Sequence, residues 1–407
     1  MRLRLRTQQS AMCHIRRSGL FRAPCIFLLA ASSLLVGCRP HDFPNYPANY
    51  REYAYVTNSG SNSVSVLDVV NVRQDRTIQV GSNPTGVAVN PRRNEIYVVN
   101  TGSDCISVID VEKNQVVAQI AVNRRPYSIS VNQDGSRAYV ANSGSNNVSV
   151  LDLEKRREIG VVGVGEAPGI AAVSPDGDTV VVSNRVSGSV SMVDAKSLRV
   201  RSVWNGCPDA GDIAVLPDSS KAFVACSGSH QIMALSLAKT ADTAAKVRSV
   251  SKHSAQPDSL LALLDVGKNP VSLALKPDGG EIFAVNSGSG SVSEIDTSTN
   301  EVGAAYLIGT HPVRGLVSAD NSTLYVSNFD ANSLGVFSID DAQLIGAAPT
   351  GGGPDAMAFS KAGHLLFAVN AHTGDVAVIR TLTHTLLTML PAGRNPNGIA
   401  VKAFNVR

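Results

Sequence analysis

Basic and histidine side chains stand out in this sequence because they interrupt segments that are otherwise rich in Gly, Ser, Asn and Val. The residues concerned are Arg125, Arg185, His230, Lys268, His311, Arg314, His372 and Arg394. Gathered on one surface, they could concentrate a small anion, and a neutral imidazole can bind a metal or a haem iron. Acidic residues occupy nearby positions, namely Glu166, Asp209, Asp212 and Asp355. Two interpretations stay open, an anion-binding site and a solvated rim of mixed charge.

Cysteines offer a second kind of chemistry. Cys207 stands where Gly81, Gly165, Gly267, Gly309 and Gly393 stand in other copies, and Cys226 replaces the strand-end Asn. A disulfide bond between them suits an oxidising compartment, and the alternatives are two free buried thiols or a metal or catalytic role. We expect Cys105 to be a small apolar residue within its segment.

The elements that position these side chains come from a stretch that returns eight times. Its first copy is Tyr55-Val56-Thr57-Asn58, followed by Gly60 and an alternating run from Ser63 to Asp68. The equivalent stretches end at Asn100, Asn142, Asn184, Cys226, Asn286, Asn328 and Asn370. Successive copies are spaced by 42 residues, except for one step of 60 residues. A fixed period of this length indicates a propeller or a solenoid.

Each repeat has the pattern of four short strands. In residues 84–122, β-branched and aromatic residues alternate with Gly, Asn, Asp and Pro turns, which is typical of an antiparallel meander. The motif Pro396-Asn-Gly-Ile-Ala-Val401 repeats the first strand of a unit, with no second strand after it. This strand should complete the first blade and close the ring. The sequence therefore predicts an all-β fold, an eight-bladed β-propeller over residues 53–404.

The repeated polar residues have structural explanations at this stage. The Asn that ends each second strand, such as Asn58, is expected to adopt the left-handed conformation. Gly60 and its equivalents are expected to supply positive φ angles. Asp68 and its equivalents at the end of the third strand should cap the next turn. These residues are interpreted as structural and not catalytic.

The motif Tyr55-Val56-Thr57-Asn58, the Gly two residues later and the Pro-Asp-Gly turns at 175–177 and 277–279 resemble the YVTN family of β-propeller repeats. The resemblance covers residues 53–404 and implies an exported or surface protein. Propellers related to this family include lactonases and haem d1 domains. The fold does not determine which of these activities, if any, applies here.

The N-terminus has the features of an export signal. Six arginines precede the apolar run Cys25–Gly37, which is too short to span a bilayer comfortably. Leu35-Val36-Gly37-Cys38 resembles a lipobox, so we expect residues 1–37 to be a lipoprotein signal peptide and Cys38 to be lipidated. An ordinary secretory signal with a chance cysteine is the alternative. Residues 38–52 would then be a lipid-anchored tether, and Arg39 favours the outer membrane by resemblance.

Processing reverses the net charge. The whole chain carries +3, and loss of the six signal arginines leaves 30 basic against 33 acidic residues, a charge of −3. Nucleic-acid binding, which needs a strongly basic face, is therefore not favoured. The fifth repeat also has an insertion at residues 238–255, polar and mildly basic, which suits a solvated loop or a docking site.

The function predicted from the sequence is that of a binding or scaffolding module. In a propeller, the starts of the first strands and the turns after the second strands share one face around the central channel, which we call the mouth. A protein, a glycan or a small molecule would bind there, to a monomer held at the membrane. Local signatures such as Gly-x-Ser-x-Gly, His-Glu-x-x-His and a P-loop do not occur in the sequence, and no metal or cofactor is predicted. The alternative is an enzyme or cofactor carrier acting at the mouth, either lactonase-like or binding a haem d1-like tetrapyrrole.

Overall fold

Antiparallel strands are the main secondary structure of the described residues. The computed structural model describes residues 43–238 and 257–406, which form 32 strands in eight four-stranded sheets. Within these residues, one short 3-10 turn at Ser59–Ser61 is the sole helical element, and none is long and apolar enough to cross a membrane. The sequence favours strands because its Val, Ile, Tyr and Phe residues pack well on pleated sheets.

The strands follow the repeat along the chain. The first three are β1 (Tyr50–Asn58), β2 (Ser63–Asp68) and β3 (Arg73–Gln79). Blade 2 contains β4 (Pro84–Val89), β5 (Glu95–Asn100), β6 (Cys105–Asp110) and β7 (Gln115–Ala121). Blade 3 contains β8 (Pro126–Val131), β9 (Arg137–Asn142), β10 (Asn147–Asp152) and β11 (Arg157–Gly163). Blade 4 contains β12 (Pro168–Val173), β13 (Thr179–Asn184), β14 (Ser189–Asp194) and β15 (Arg199–Asn205).

The remaining blades repeat this order. Blade 5 contains β16 (Ala210–Val215), β17 (Lys221–Cys226), β18 (Gln231–Ser236) and β19 (Ser259–Asp265). Blade 6 contains β20 (Pro270–Leu275), β21 (Glu281–Asn286), β22 (Ser291–Asp296) and β23 (Glu301–Leu307). Blade 7 contains β24 (Pro312–Val317), β25 (Thr323–Asn328), β26 (Ser333–Ser338) and β27 (Gln343–Pro349). Blade 8 contains β28 (Pro354–Phe359), β29 (Leu365–Asn370), β30 (Asp375–Arg380) and β31 (Thr385–Pro391), and the last strand is β32 (Pro396–Asn405).

The C-terminal strand closes the ring, as predicted. β32 pairs antiparallel with β1 and takes the innermost place in blade 1, where the sheet order is β3-β2-β1-β32. The inner strands of successive blades contact one another around the whole circle, and β32 contacts both β4 and β28. The eight-bladed all-β propeller is therefore confirmed. Because β1 and β32 leave no open inner edge, the two chain ends hold each other in place.

The propeller begins earlier than residue 53. Tyr50, Arg51 and Glu52 belong to β1 and pair with Asn405, Phe404 and Ala403 of β32. β1 thus begins three residues before the start of the repeat motif, because that motif marks only the part of β1 that other blades share. The signal peptide 1–37, Cys38 and insertion residues 239–255 lie outside the described residues.

The hydrophobic core lies between blades. Second and third strands are buried on both faces, and a typical cluster joins Tyr97, Ile106 and Val108 of blade 2 to Val140 and Leu151 of blade 3. Fourth strands, by contrast, leave many side chains exposed at the perimeter. Each fully buried Val, Ile or Phe side chain contributes roughly 1.5–3 kcal/mol relative to exposure. Neighbouring blades therefore stabilise each other along their whole height.

The strand-end asparagines do not adopt the expected conformation. Asn58 has φ −119° and ψ 93°, which is extended backbone, and its side chain is fully buried. Its amide nitrogen donates to Ser63 Oγ (3.3 Å) and Ser65 Oγ (3.0 Å) on the next strand. The prediction of left-handed geometry was wrong because Asn58 has an extended backbone from which its side chain makes these buried hydrogen bonds. The same bond recurs in other blades, for instance from Asn184 to Ser189 and Ser191.

Gly60 and its equivalents are explained by close packing and not by the positive φ angle that was predicted. Gly60, Gly102 and Gly144 are absent from the residues with positive φ. A Cβ atom at Gly60 would lie 3.1 Å from Arg394, and the Gly60 N–H donates to the Arg394 carbonyl (3.0 Å). Glycine is needed because two loops approach closely. By contrast, the third-strand Asp behaves as expected, since Asp110 Oδ1 accepts the backbone N–H groups of both Glu112 and Lys113.

Candidate functional site

The mouth is built by two sets of connections that pair through their backbones. One set comprises the loops that precede inner strands, and the other comprises the turns that follow second strands. Thr101 N–H, for example, donates to the Asn83 carbonyl (3.1 Å). Loops before inner strands carry Arg125, Lys268, His311 and Arg394, turns carry Arg185, His230 and His372, and Arg314 lies in β24. All eight predicted side chains are therefore attached at one face.

The last residue of each such turn, which we call the turn-end position, shapes the gap between two blades. Its occupants are Asn62, Asp104, Asn146, Gly188, His230, Gly290, Asn332 and Gly374, all with positive φ. At Asn62 the side-chain oxygen accepts the Asn83 N–H of the next loop (2.9 Å), and Asp104, Asn146 and Asn332 do the same in their blades. At three turn-end positions the residue is glycine, and that N–H has no side-chain acceptor among residues 43–238 and 257–406.

His230 takes part in this structural pattern. Its Nδ1 accepts the Asn269 N–H at 3.1 Å. Because a backbone N–H can only donate, Nδ1 carries no proton, and the 3.1 Å approach of the Ser227 carbonyl to it is not a hydrogen bond. His230 therefore takes the acceptor role that asparagine has at other turn-end positions, and only its Nε2 atom is left to bind a ligand.

Arg185 lies over the inner part of blades 3 and 4. Its Cζ is 5.3 Å from the centre of the Tyr127 ring, within the range of a cation–π contact. Its Nη2 lies over Gly169 of β12, where a Cβ atom would be 3.5 Å away. Tyr127 is 40% exposed, so the pair presents both a ring and a cation to the mouth.

An aromatic cluster joins blades 7 and 8 on the same face. The Phe329 ring lies edge-on to His372 (4.8 Å between centroids) and to His311 (5.7 Å). His311 Nδ1 also lies 3.1 Å from Asp330 Oδ2. Gly353 makes room for these rings, since a Cβ there would come within 3.1 Å of both Phe329 and His372. The cluster therefore depends on the three consecutive glycines that end at Gly353.

Arg314 connects three blades. Its Nη1 lies 4.0 Å from Asp212 Oδ2 in blade 5, and its Nη2 lies 3.7 Å from Asp355 Oδ1 in blade 8. Asp212 also accepts the Leu273 N–H (3.0 Å) of β20. Burial raises the pKa of the Asp355 carboxyl, and the Arg314 charge opposes that shift. A carboxyl group whose pKa is raised by burial, beside a cation, is a candidate proton donor or acceptor.

A cavity of about 480 Å³ opens between blades 8 and 1. It is lined by His372, Thr373, Gly374, Ser61, Arg394 and Asn395, among others. None of its lining residues is acidic. It is the cavity in which two of the predicted mouth residues, His372 and Arg394, meet.

Cys207 and Cys226 are joined by a disulfide bond, and both residues are fully buried. In every other blade except blade 3, where Asn123 stands in place of the Gly, the same two positions hold a Gly packed against the strand-end Asn. A Cβ at Gly81, for example, would lie 2.7 Å from the Asn100 side chain. The disulfide therefore fixes covalently a contact that other blades make by packing. Cys105 is free, with Asn100 Nδ2 at 3.5 Å from its sulfur.

The structure divides the predicted mouth residues into separate groups and adds others. Arg185, Arg314 and the pair His311 and His372 occupy different parts of the face. Within the described residues, Arg125 and Lys268 use their backbone N–H groups in the rim, and no group of three His, Cys, Asp or Glu side chains is arranged to bind a metal. Tyr127 and Phe329 were missed. The sequence signal for Phe329 was its place after the strand-end Asn, where five copies have Ser or Thr.

Comparisons with known proteins agree with the propeller fold. A family model described as a lactonase with a seven-bladed β-propeller matches residues 316–394, a minority of the chain. No curated protein sequence matches the chain. The match supports a β-propeller, and the eight blades observed here differ from the seven of that family.

Solved structures of similar fold share little sequence. The dihydro-haem d1 dehydrogenase NirN, solved in complex with DHE, is 15% identical, with a TM-score of 0.69 over 89% of this chain and 77% of its own. AztD from Citrobacter koseri is 13% identical, with a TM-score of 0.65 over 88% and 99%. Kuenenia stuttgartiensis hydrazine synthase is 21% identical, with a TM-score of 0.54 over 80% and 92%. At these identities the similarity establishes the fold alone.

Proposed function

We propose that this protein is a lipid-anchored β-propeller of the cell envelope that binds a protein, a glycan or a small molecule at its mouth. The observation that supports it is the concentration of departures from the repeat on blades 7, 8 and 1. There Phe329 stands where five copies have Ser or Thr, and His372 stands where five copies have Gly. His372 contacts the Phe329 ring and, with Arg394, lines a cavity of about 480 Å³. Pockets of this size with a few polar groups suit small ligands or the tips of larger ones.

The proposed anchor would direct the mouth away from the membrane. Tyr46 stacks on Tyr50 (4.6 Å) and approaches His364, while Glu52 accepts the Lys361 N–H. His364 and Lys361 lie in the turn between β28 and β29, on the face opposite the mouth. A chain lipidated at Cys38 would therefore leave the ring on that opposite face. The signal peptide, the tether, the outer-membrane location and the kinship with YVTN repeats belong to this proposal, as does a monomeric state.

Native mass spectrometry of the protein purified from its own envelope tests the binding function. We expect an additional bound mass, or a co-purifying partner, that is lost in a His372→Ala/Arg394→Gln variant. Lys113→Ala, an exposed change on the opposite face, should retain it. The same bound mass in the mouth variant would place binding elsewhere and contradict the proposal. Nucleic acid is not an expected partner because the processed chain would carry −3.

A lactonase-like hydrolase is the second candidate, favoured by the partial family match and by Asp355. The raised pKa of Asp355 beside Arg314 provides a group able to move a proton. Turnover of a panel of sugar lactones, abolished by Asp355→Asn and retained by Lys113→Ala, would make this function primary. Absence of turnover in the wild-type protein would leave the binding function in place.

A haem d1-like tetrapyrrole fits the mouth less well than a smaller ligand. His311 and His372 offer ring nitrogens, but Asp212 and Asp355 place two carboxylates around Arg314. The carboxylate substituents of such a macrocycle would meet these like charges. A visible absorption band in protein taken from cells that make this cofactor would revive the alternative, and a colourless protein from those cells would argue against it.

A further inference from the structure

The cavity between blades 8 and 1 combines a glycine at its turn-end position, Gly374, with Arg394 in the loop that follows. The two other gaps with a turn-end glycine have Pro208 and Thr310 in place of that arginine. Where that position holds Asn, Asp or His, the side chain accepts the N–H of the following loop, as Asn332 does for Gly353 (3.1 Å). Gly374 has no side chain to do so, and a Cβ there would already lie 3.1 Å from the Gly393 carbonyl. The corresponding donor, the backbone N–H of Asn395, has no acceptor among the described residues, and Asn395 is exposed.

Two cationic or potentially cationic side chains line this same gap. Arg394 is exposed, and its guanidinium has no ion-pair or hydrogen-bond partner within residues 43–238 and 257–406. His372 borders the cavity from blade 8, with its ring against Phe329. The Arg394 N–H is held by Ser61 Oγ (3.2 Å), which fixes the loop that presents both Arg394 and Asn395.

The nearest acid is already engaged. Asp375 does not line the cavity, and its Oδ1 accepts the Asn370 amide (2.6 Å) and the Thr373 hydroxyl (3.0 Å). The two cavities of the opposite face are different in this respect. The one between blades 3 and 4, about 400 Å³, is lined by Asp134, Asp176 and Asp178, and the one between blades 5 and 6 by Asp218 and Asp278.

We propose that the gap between blades 8 and 1 is an oxyanion site that binds the carboxylate of an acidic sugar or other small organic acid through Arg394, the Asn395 N–H and His372. A free backbone N–H next to a guanidinium suits a carboxylate because the N–H is held by the loop backbone and the guanidinium is charged. The inference rests on the proposed function, and it narrows the ligand of the mouth to a carboxylate-bearing molecule.

The test is isothermal titration of the folded protein with glucuronate and, separately, with glucose, in a buffer of low ionic strength without phosphate. Glucuronate should bind and glucose should not, because only the former has the carboxylate. Arg394→Gln should weaken glucuronate binding by about tenfold or more, since it removes a charged hydrogen bond.

Gly374→Asn provides a variant taken from the repeat itself. Asn tolerates the φ of +74°, and its side-chain oxygen would accept the Asn395 N–H as Asn does in other gaps. The Asn395 N–H would then no longer be free to bind glucuronate, so this variant should not bind it. Gly188→Asn is the matched control, at the same position of blade 4, where Pro208 and Asp209 replace Arg394 and Asn395. That variant should bind glucuronate as the wild type does.

Three results would overturn the inference: no glucuronate binding by the wild-type protein, equal binding of glucose, or unchanged binding in both Arg394→Gln and Gly374→Asn. If glucuronate fails while the mouth variants still lose the ligand found in the envelope, the proposed binding function stands and only the oxyanion site falls. If glucuronate binds as described but the envelope protein carries no ligand, the oxyanion site stands and the proposed binding function in the envelope falls.

Discussion

At the scale of residues, the strand-end asparagine is a buried polar group whose value depends on its serine partners. Asn184, Ser189 and Ser191 are each at most 2% exposed, and the Asn184 amide donates to both hydroxyl groups. Water cannot easily replace these bonds, so removing one partner leaves the others unsatisfied. This is a stronger reason for asparagine than turn geometry.

We predict that Asn184→Ala lowers the free energy of unfolding by about 1–3 kcal/mol, the usual cost of unpaired buried polar groups. Ser187→Thr, which keeps the hydroxyl of the adjacent turn as Thr373 does in blade 8, should have little effect. Urea denaturation followed by circular dichroism measures both. Equal midpoints for wild type and Asn184→Ala would show that the buried bond contributes nothing.

His384 makes stability depend on pH. It lies in the turn between β30 and β31, and its Nδ1 is hydrogen-bonded to the Tyr325 hydroxyl of blade 7 (2.8 Å). Burial lowers the pKa of His384 below its usual 6.5. Just below pH 6.5 the folded state therefore binds fewer protons than the unfolded state. Titration of His384 leaves the free energy of unfolding unchanged above that pH and lowers it as the solution is acidified.

The repeat supplies the control for this effect. In blade 2 the same turn carries Asn114, which accepts the Tyr55 hydroxyl (2.6 Å) and has a similar φ. We expect thermal unfolding temperatures of wild type to fall between pH 7.5 and 5.5 more steeply than those of His384→Asn. Parallel curves for the two proteins would exclude His384 as the titrating group.

At this scale the sequence predicted residue positions better than residue roles. The Asp caps follow from local spacing, because the backbone N–H groups that donate to Asp110 lie only two and three residues after it. His230 looked like a ligand because its partner, the Asn269 N–H, is 39 residues away. Arg314 finds Asp212 across an intervening blade, a contact that no local pattern encodes.

At the scale of elements, the disulfide strengthens blade 5, which also carries the insertion. It joins the loop after β15 to the end of β17 across a separation of 19 residues. Loop-closure entropy for about 20 residues corresponds to a stabilisation of roughly 3 kcal/mol. The bond therefore ties blade 4 to blade 5 at the mouth face.

We predict that Cys207→Ala/Cys226→Ala lowers stability by roughly 3 kcal/mol, and that Cys207→Gly/Cys226→Asn, which restores the residues of other blades, recovers part of the loss. Trp204, the single tryptophan, packs against the cluster that contains both cysteines, so its fluorescence reports unfolding at this place. Identical denaturation midpoints in all three proteins would mean that the bond does not constrain the unfolded chain.

The closing strand is the other decisive element. Deleting residues 396–407 removes β32 and exposes the inner edge of β1, so we expect loss of the cooperative thermal transition and aggregation on size-exclusion chromatography. Deleting only Val406 and Arg407 leaves β32 complete and serves as the control. A soluble, cooperatively folding protein without β32 would contradict the closure.

Elements were the most predictable level. The 42-residue period identified the blades, and the orphan strand at Pro396 identified the closure, because both depend on repetition alone. The extension of β1 to Tyr50 could not be predicted, since it occurs in one blade and depends on pairing with residues more than 350 positions away.

At the scale of the whole molecule, the ring is regular in its core, and its irregular sector at the mouth is that of blades 7, 8 and 1, with separate departures in blades 3 to 5. Blades 7, 8 and 1 carry the aromatic cluster and the cationic cavity. The chain enters on the opposite face, beside His364. An anchored ring of this kind would hold the irregular sector outward, where a partner can reach it.

Hydrogen–deuterium exchange of the purified protein, with and without a detergent extract of its own envelope, tests the central claim most directly. The account predicts slower exchange at residues 371–374 and 393–395 when the extract is present, and no change at residues 111–114 on the opposite face. Protection confined to the opposite face, or the same protection in a His372→Ala/Arg394→Gln variant, would contradict a binding site at this sector of the mouth.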